Sequence, residues 1–330
     1  MTGIIVPTAG DVHVNRPLTN ISVAMLQSAE GFVANRVFPS IPVSHQSDTY
    51  FEYPRGEFNR DEMRERAPGT ESAGGSYDID EALPYFCRVY AYHKDIPDQI
   101  RANQDSPLNL DREATVYVTH KGLLRREINF RTNFFKASVW STDITGVGGP
   151  SIGAGQALQW NDDASDPIRN IRTGQTYVQS QTGFRPNVLT ISRPVYDVLV
   201  DHPDFVARMD RGQTSGAAKV NREAMAALFE LDEVVVMDAI ENTAKKGASA
   251  VHGFIGGKHA LLTYRPPSPG LMTPSAGYTF DWTGFSPAGI RIKKFRRAEE
   301  FESDRVEAQQ AFDQKVIAAD LGYFFSGIVA

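Results

Sequence analysis

The sequence predicts an α+β fold in which one long helix lies against β-structure from distant parts of the chain. Three observations support this fold class. A segment with no proline and a single glycine runs from Leu108 to Ser138, which favours one long helix. Two aromatic, β-prone segments flank a charged stretch at 54–75, which is typical of a hairpin. Further β-prone segments fill positions 286–330, so a sheet is expected to close the chain.

The composition is that of a globular protein. With 330 residues and 41% hydrophobic residues, the chain can fill a sizeable core in one large domain or two ordinary ones. A formal net charge of −6 argues against a general electrostatic grip on phosphate backbones, so any DNA contact has to be local. Cys87 is the only cysteine, which excludes an intrachain disulfide and fits a reducing compartment. No apolar run approaches the roughly 20 residues of a membrane-spanning helix, so no membrane partner is expected.

The first 95 positions predict an extended arm followed by a long hairpin. Scattered prolines make 1–46 an arm, with one short helical candidate from Ile21 to Asn35. The segments DTYFEY (48–53) and YFCRVYAYHK (85–94) are interpreted as two paired strands. The stretch PRGEFNRDEMRERAPGTESAGG between them forms the tip of this hairpin.

The middle of the chain predicts helices in one lobe and mixed structure in another. The long helix is expected to begin near Pro107 with Ser106 or Asp105 as its cap. Its apolar stripe comprises Leu110, Ala114, Tyr117, Leu124, Ile128 and Phe135. Five glycines in 141–156 indicate a loop or flap, and a helix is predicted from Asp166-Pro167 to Gln181, ending at Gly183. Strand and helix signals then alternate from 187 to 265, which predicts a compact α/β lobe.

The sequence contains no strong catalytic or metal-binding constellation. Gly149–Gly153 matches G-x-S-x-G, which would make Ser151 the nucleophile of an esterase, but its flanks predict neither a strand nor a helix start. The stretch GFIGGK at 253–258 lacks the spacing and the Ser/Thr of a phosphate loop. The seven histidines are scattered. We therefore expect no catalytic residue, no cofactor and no metal, and the chain is predicted not to be an enzyme.

A basic run near the end of the chain is a further candidate motif, because basic clusters can bind nucleic acid. Its members are Lys293, Lys294, Arg296 and Arg297. Glu299, Glu300 and Glu302 follow at once, and we expect them to cancel the positive field locally.

The charged hairpin tip predicts contacts between copies of the chain. A two-stranded ribbon is marginal alone, and each ordered residue costs roughly 1 to 2 kcal/mol of backbone entropy, so neighbouring copies are expected to bury it. Interleaved charges can pair between subunits and set their register; simple disorder of the isolated tip is the alternative. The candidate intersubunit residues are Arg55, Glu57, Arg60, Asp61, Glu62, Arg64, Glu65 and Arg66. Arm and ribbon reaching different neighbours make a head-to-tail contact, which closes into rings or shells.

Four stretches of the chain together resemble one known family. They are AEGFVANRVFPSIPVSHQSDTYFEYPRGEF, RAPGTESAGGSYDIDEALPYFCRVYAYHKDIPDQIRANQDSPLNLDREATVYVTHKGLLRREINF, NVLTISRPVYDVLVDHP and KVIAADLGYFFSGIVA. In these the chain resembles the major capsid proteins of tailed double-stranded DNA bacteriophages, over nearly its whole length. The resemblance implies a fold with an N-terminal arm (1–46), an extended β-hairpin loop (47–95), a peripheral domain with a spine helix (96–186), an axial α/β domain (187–285) and closing strands of the peripheral sheet (286–330).

The same resemblance implies a structural function. The chain is expected to self-assemble into pentamers and hexamers of an icosahedral head that encloses the phage double-stranded DNA genome. Implied partners are other copies, scaffolding, portal and decoration proteins, and packaged DNA through weak or indirect contact. The implied location is the virion, with assembly in the host cytoplasm. The rival within this fold is the shell protein of a bacterial nanocompartment enclosing enzyme cargo, against which the long arm argues.

Overall fold

A computed structural model describes the chain over residues 27–52, 55–77, 80–104, 108–149, 151–210, 221–270, 273–286 and 289–330. Most of the predicted arm, and the predicted helix cap at Asp105 or Ser106, lie outside these residues. The described helices are α1 (Ala34–Val37), α2 (Arg55–Phe58), α3 (Asp98–Ala102), α4 (Leu110–Asn133), α5 (Pro167–Thr182), α6 (Arg193–Asp201), α7 (Pro203–Asp210) and α8 (Arg222–Phe229). The described strands are β1 (Ser40–Val43), β2 (Ser47–Glu52), β3 (Asp80–Phe86), β4 (Arg88–Pro97), β5 (Thr142–Val147), β6 (Gln156–Leu158), β7 (Val188–Ser192), β8 (Glu233–Met237), β9 (Ile240–Asn242), β10 (His252–Phe254), β11 (Ala260–Thr263), β12 (Gly277–Trp282), β13 (Arg291–Arg296), β14 (Ser303–Val316) and β15 (Gly322–Ser326).

The larger sheet formed by these residues has six strands in the order β6-β5-β15-β11-β7-β8. Strands β7 and β11 are buried at every position, which matches their almost continuous apolar sequences. Helix α5 packs against β11 and β15. It begins as predicted, with the Asp166 side chain accepting a hydrogen bond from the Arg169 amide at 2.8 Å, and ends at Gly183 in a left-handed conformation.

The second sheet has β14 at its centre. Along one edge β14 pairs antiparallel with β4, from Ser303 opposite Pro97 to Phe312 opposite Arg88. Along its other edge β14 pairs with β13 and then with β12, and β12 pairs in turn with β1. Helix α4 lies across β14 and β4. The predicted α+β class is therefore confirmed, and the long helix packs on a sheet built from both ends of the chain.

The closing segment 286–330 contributes strands to both sheets. Strands β13 and β14 belong to the sheet under α4, but β15 pairs antiparallel with β11 in the larger sheet. Strands β5 and β6, which precede the predicted lobe in sequence, join the same sheet through β15. The larger sheet is thus assembled from three separate stretches of the chain.

The glycine-rich segment 141–156 is predicted to be a loop, but strand β5 occupies its first half. Strand β5 runs parallel to β15. A Cβ atom at Gly146 would overlap the carbonyl oxygen of Gly327. The glycine is therefore required for a close approach between two backbones, and it signals packing rather than a loop.

Helix α4 is shorter than the predicted helix, and it buries most of the predicted apolar stripe together with Arg126 and Glu127. It spans 24 residues, and Asn109 caps it by accepting a hydrogen bond from the Arg112 amide at 3.0 Å. Its buried residues are Ala114, Val118, Arg126, Glu127 and Phe130. Tyr117 and Ile128, both predicted in the buried stripe, are 37% exposed and half-buried respectively. Arg126 and Glu127 are buried by partners from other elements, and the spacing of apolar residues within one helix does not reveal such burial.

Two further predictions near the N-terminus need correction. The described part of the Ile21–Asn35 candidate contains only a short 3-10 turn at Ala29–Gly31 and the start of α1. The predicted strand 85–94 is two strands interrupted at Cys87. Strand β3 pairs with β2 in the hairpin, whereas β4 pairs with β14, so the chain changes sheets at this buried cysteine.

Candidate intersubunit surfaces

The tip of the hairpin, residues 55–77, projects beyond the paired strands β2 and β3. Every side chain described in the tip is exposed. Its larger apolar side chains are also partly exposed, since Met63 is 93% exposed and Phe58 and Tyr77 are each 51% exposed. The Phe58 and Tyr77 rings contact each other with centroids 5.1 Å apart. The tip therefore presents both apolar and charged surface to solvent.

The structure brings together only part of the predicted intersubunit set. Arg60 Nη1 lies 3.3 Å from Glu62 Oε1, and the Arg66 guanidinium donates to the carbonyl of Thr70. Asp61, Arg64 and Glu65 are exposed. Residues Arg55 and Glu57 lie in helix α2, and their side chains are outside the described part of the structure. An exposed pair such as Arg60–Glu62 contributes at most about 1 kcal/mol, so these charges remain able to exchange partners.

The base of the hairpin is fixed to the sheet under α4. Tyr85 stacks on Phe280 with ring centroids 4.6 Å apart, and Tyr50 stacks on the same ring at 5.7 Å. The buried Cys87 thiol donates to the carbonyl of Phe280 at 3.4 Å. Burial raises the pKa of the Cys87 thiol to about 12. This aromatic cluster holds the base rigidly, so the direction in which the hairpin leaves the body is determined by packing.

The described end of the arm is held on the long helix α4. Glu127 Oε2 accepts hydrogen bonds from the amides of Val33 and Ala34, each at 2.9 Å. About two turns earlier along α4, His120 contacts the Phe32 ring edge to face at 5.4 Å. Burial raises the pKa of the Glu127 carboxyl to about 7 and lowers the pKa of His120. The arm is therefore fixed by a buried carboxyl group that caps the first turn of α1.

A buried ion pair joins α4 to the sheet beside this contact. The Arg126 guanidinium pairs with the carboxylate of Asp281 on β12, and both side chains are nearly inaccessible. Arg126 also donates from Nε to Gln310 Oε1 at 3.0 Å and from Nη1 to Asn35 Oδ1 at 3.2 Å. These contacts connect the helix, two strands and the arm through one side chain. Sequence reasoning missed Arg126 and Glu127, and their adjacency on one helix is the only local signal they give.

Three of the four cations of the basic run at 293–297 pair with carboxylates, but not with those of the glutamates that follow it. Lys294 Nζ lies 2.8 Å from Asp111 Oδ2, and Arg296 pairs with Asp98. Arg297 Nη1 lies 2.9 Å from Asp95, which also binds Arg305. Hydrogen bonding from Arg305 lowers the pKa of Asp95. The partners come from distant positions because β13 and β14 lie beside β4, α3 and the start of α4, a juxtaposition that sequence spacing could not reveal.

The motifs considered for catalysis do not form sites. Ser151 is exposed in the connection between the parallel strands β5 and β6, so the strand-turn-helix geometry of a nucleophile elbow is missing. The GFIGGK stretch leads from β10 into β11 rather than into a helix. Within the described ranges there is no group of three or more metal-ligating side chains. None of the helices in those ranges combines the length and the apolar character that crossing a membrane requires.

Comparison with known proteins identifies relatives of the whole chain, although no family model matches it. The chain is 25% identical over 318 residues to a protein named major capsid protein from Pseudomonas phage JBD67, covering 95% of this chain and 96% of the relative. It is also 25% identical over 237 residues to the major capsid protein of Burkholderia phage BcepMu, covering 70% and 71% of the two chains.

Solved structures with the same fold agree with these relatives. A phage-related protein from Bordetella bronchiseptica RB50 superposes with a TM-score of 0.68 at 19% identity, covering 92% of this chain and 94% of that one. The capsid protein of cyanophage P-SCSP1u superposes with a TM-score of 0.64 at 11% identity, covering 96% and 93%.

The fold alone does not separate phage capsids from bacterial compartments. The SrpI encapsulin of Synechococcus elongatus PCC 7942 superposes with a TM-score of 0.55 at 9% identity, covering 98% of this chain and 96% of that one. The curated sequence relatives, however, are phage proteins. The predicted resemblance of this chain to the major capsid proteins of phages is thus confirmed by sequence and by fold.

Proposed function

We propose that the chain is the structural subunit of a phage head, with many copies forming the icosahedral shell that encloses a double-stranded DNA genome. The observation that carries this function is the match to a phage major capsid protein over 95% of the chain and 96% of the relative. Because the match includes both the body and the hairpin, it extends to the surfaces through which copies would meet. The chain acts by assembly, with no reaction to catalyse.

The hairpin tip supplies the contact that holds one copy to the next. Its solvent-exposed apolar surface, with Met63 93% exposed, can be buried by another copy, and burying such surface stabilises an interface. Its interleaved charges, from Arg55 to Arg66, then pair with a neighbour and set the register of the two copies. A projecting hairpin that grips a different surface of the next copy makes a head-to-tail contact, which closes into pentamers and hexamers.

The remaining partners follow from the same function. Scaffolding, portal and decoration proteins would contact the shell, and DNA would be contacted weakly because the chain carries a net charge of −6. The virion is the proposed location, with assembly in the host cytoplasm. A compartment for enzyme cargo is the second candidate, supported by the shared fold of the SrpI encapsulin, but the curated sequence relatives favour the phage head.

Deleting residues 56–74 tests the role of the tip. The aromatic cluster at the hairpin base does not include these residues, so the subunit should keep its circular dichroism spectrum and its thermal midpoint. Shells should be absent from electron micrographs of the deletion protein under conditions where the wild type forms them. A matched control replaces Lys245 and Lys246, exposed in a turn far from the hairpin in sequence, with alanine and should assemble normally. Intact shells from the deletion protein would show that the tip does not clamp neighbours.

A further inference from the structure

A groove along helix α5 gathers cationic and hydroxyl side chains outside the surfaces described above. It has a volume of roughly 600 Å³ and is open to solvent. Its donor side chains are Arg169, Arg172, Thr173, Thr176 and Ser180 of α5 and Arg208 of α7. The α5 positions follow one another at intervals of one, three or four residues, which places them on one face of the helix. All six side chains are exposed.

The opposite face of α5 fixes this surface in place. Ile168, Ile171 and Val178 are buried in the main core. A Cβ atom at Gly174 would stand 3.0 Å from the Tyr323 ring, so the helix lies close against β15. The exposed donors are therefore held on a rigid element rather than on a loop, and their spacing is set by the helix.

Within the described ranges, the groove keeps a net positive charge. Helix α5 contains two arginines and no acidic residue. Among the described residues, no carboxylate lies within ion-pair distance of Arg169, Arg172 or Arg208, and Arg172 donates only to the carbonyl of Leu228 at 3.4 Å. Asp166, whose carboxylate accepts the Arg169 amide as the helix cap, also lines the groove and offsets one of its three positive charges.

The basic run at 293–297 differs from this groove because carboxylates already bind most of its cations. There Asp95, Asp98 and Asp111 bind three of the four cations directly, which leaves less charge for a ligand. In the α5 groove three guanidiniums remain able to bind one. A chain with a net charge of −6 thus keeps a local cationic surface.

The donor types indicate which anion the groove fits. Guanidinium groups offer several N–H donors and no acceptor, and together with Ser and Thr hydroxyls they are the side chains that contact phosphate oxygens in nucleic-acid complexes. From Arg169 to Ser180 the donors extend over about 16 Å of helix, the rise of about five base pairs at 3.4 Å each. A row of donors this long matches a series of phosphates along a backbone. The alternative ligand, the acidic turn at Glu299, Glu300 and Glu302 of a second copy, is more compact and fits the row less well.

We propose that this face of α5, together with Arg208, is where the subunit contacts the phosphate backbone of double-stranded DNA, without reading its sequence. The proposal rests on the proposed function as a DNA-enclosing shell. Three phosphate contacts predict a slope of about −2.7 for the logarithm of the association constant against the logarithm of salt concentration. The affinity should accordingly fall roughly 40-fold between 50 and 200 mM salt.

Fluorescence anisotropy with a labelled random-sequence duplex and the full-length chain measures this slope. Changing Arg169, Arg172 and Arg208 to glutamine should abolish the salt-dependent binding. A control that changes Lys245, Lys246 and Lys258 to glutamine removes the same charge from other exposed positions and should keep the wild-type slope. Equal loss in both variants, or no loss in the arginine variant, would overturn the proposal.

Electron microscopy of the same proteins separates this proposal from the proposed function. Shells from the arginine variant with DNA binding lost support both. An arginine variant that binds DNA normally but cannot assemble would assign the groove to carboxylates of a second copy, and would refute the DNA contact. A wild type that binds duplex through the groove but never forms shells would contradict the shell function and leave the groove standing.

Discussion

Replacing Glu127 with glutamine should remove a pH dependence from the stability of the subunit. Glu127 is fully buried, and its Oε2 accepts the amides of Val33 and Ala34. Burial raises the pKa of this carboxyl from 4.5 to about 7, against the smaller lowering effect of the two amide donors. A glutamine keeps an oxygen acceptor for the arm and carries no charge at any pH.

The magnitude follows from the difference between the folded and unfolded pKa values. The folded chain binds the proton of Glu127 more tightly than the unfolded chain, so the stability from this group is complete below pH 4.5 and is lost as the pH rises to about 7. Each pKa unit corresponds to about 1.36 kcal/mol, so the total loss is about 3 kcal/mol. His120 and His259, whose pKa values are lowered by burial, act in the opposite direction, and the comparison with the variant removes their contribution.

Urea unfolding followed by the fluorescence of the three tryptophans between pH 5 and pH 8 measures this difference. The free energy of unfolding of the wild type, relative to Glu127→Gln, should fall from pH 5 to about pH 7 and level off by pH 8. Glu113→Gln changes an exposed carboxyl group on the same helix and should keep the wild-type profile. Parallel profiles for the wild type and Glu127→Gln would refute the assignment of a raised pKa to this buried carboxyl group.

Three further predictions test the packing around α4 and the hairpin base. Phe130→Ala, at a fully buried ring that contacts three other aromatic rings, should lower the free energy of unfolding by about 3 to 5 kcal/mol, while the exposed Val116→Ala on the same helix should change it by less than about 1 kcal/mol. Arg126→Ala leaves the buried Asp281 carboxylate unpaired and should cost about 3 to 5 kcal/mol, whereas Arg193→Ala breaks exposed pairs and should cost about 1 kcal/mol or less; equal costs would contradict the role of burial. The Cys87 thiol, with its pKa raised to about 12, should react with a thiol reagent at pH 8 only after unfolding, and rapid labelling of the folded chain would contradict its burial.

The elements with local signals were predictable from the sequence. Helix α5 carries an Asp-Pro start and a glycine end, and both are used as expected. The hairpin could be predicted because aromatic strands flank a charged turn region, and β2 pairs with β3. In these elements the residues that define the structure lie within a few positions of one another.

The elements whose partners lie far away in sequence were not predictable. The five glycines of 141–156 predict a loop, whereas the stretch contains strand β5 and Gly146 is needed for the approach of Gly327. The burial of Glu127 and Arg126 has no local signal, because their partners, Val33 and Asp281, are more than 90 positions away. Long-range pairing of this kind decides which face of a helix is buried, and a single sequence does not contain it.

The intersubunit surface lies between these two cases. Exposed charges at the tip follow from its composition, and the described side chains there are all exposed. The partner of each charge in an assembled shell is expected to lie on a second copy of the chain. The contacts of Arg64 and Glu65 between copies therefore remain predictions.

Electron microscopy of the purified chain, across a range of protein and salt concentrations, tests the central claim most directly. The proposed function predicts closed shells built from clusters of five and six subunits, with hairpins lying across neighbouring copies. A monodisperse single subunit under every condition, with the hairpin tip folded against its own body, would contradict it.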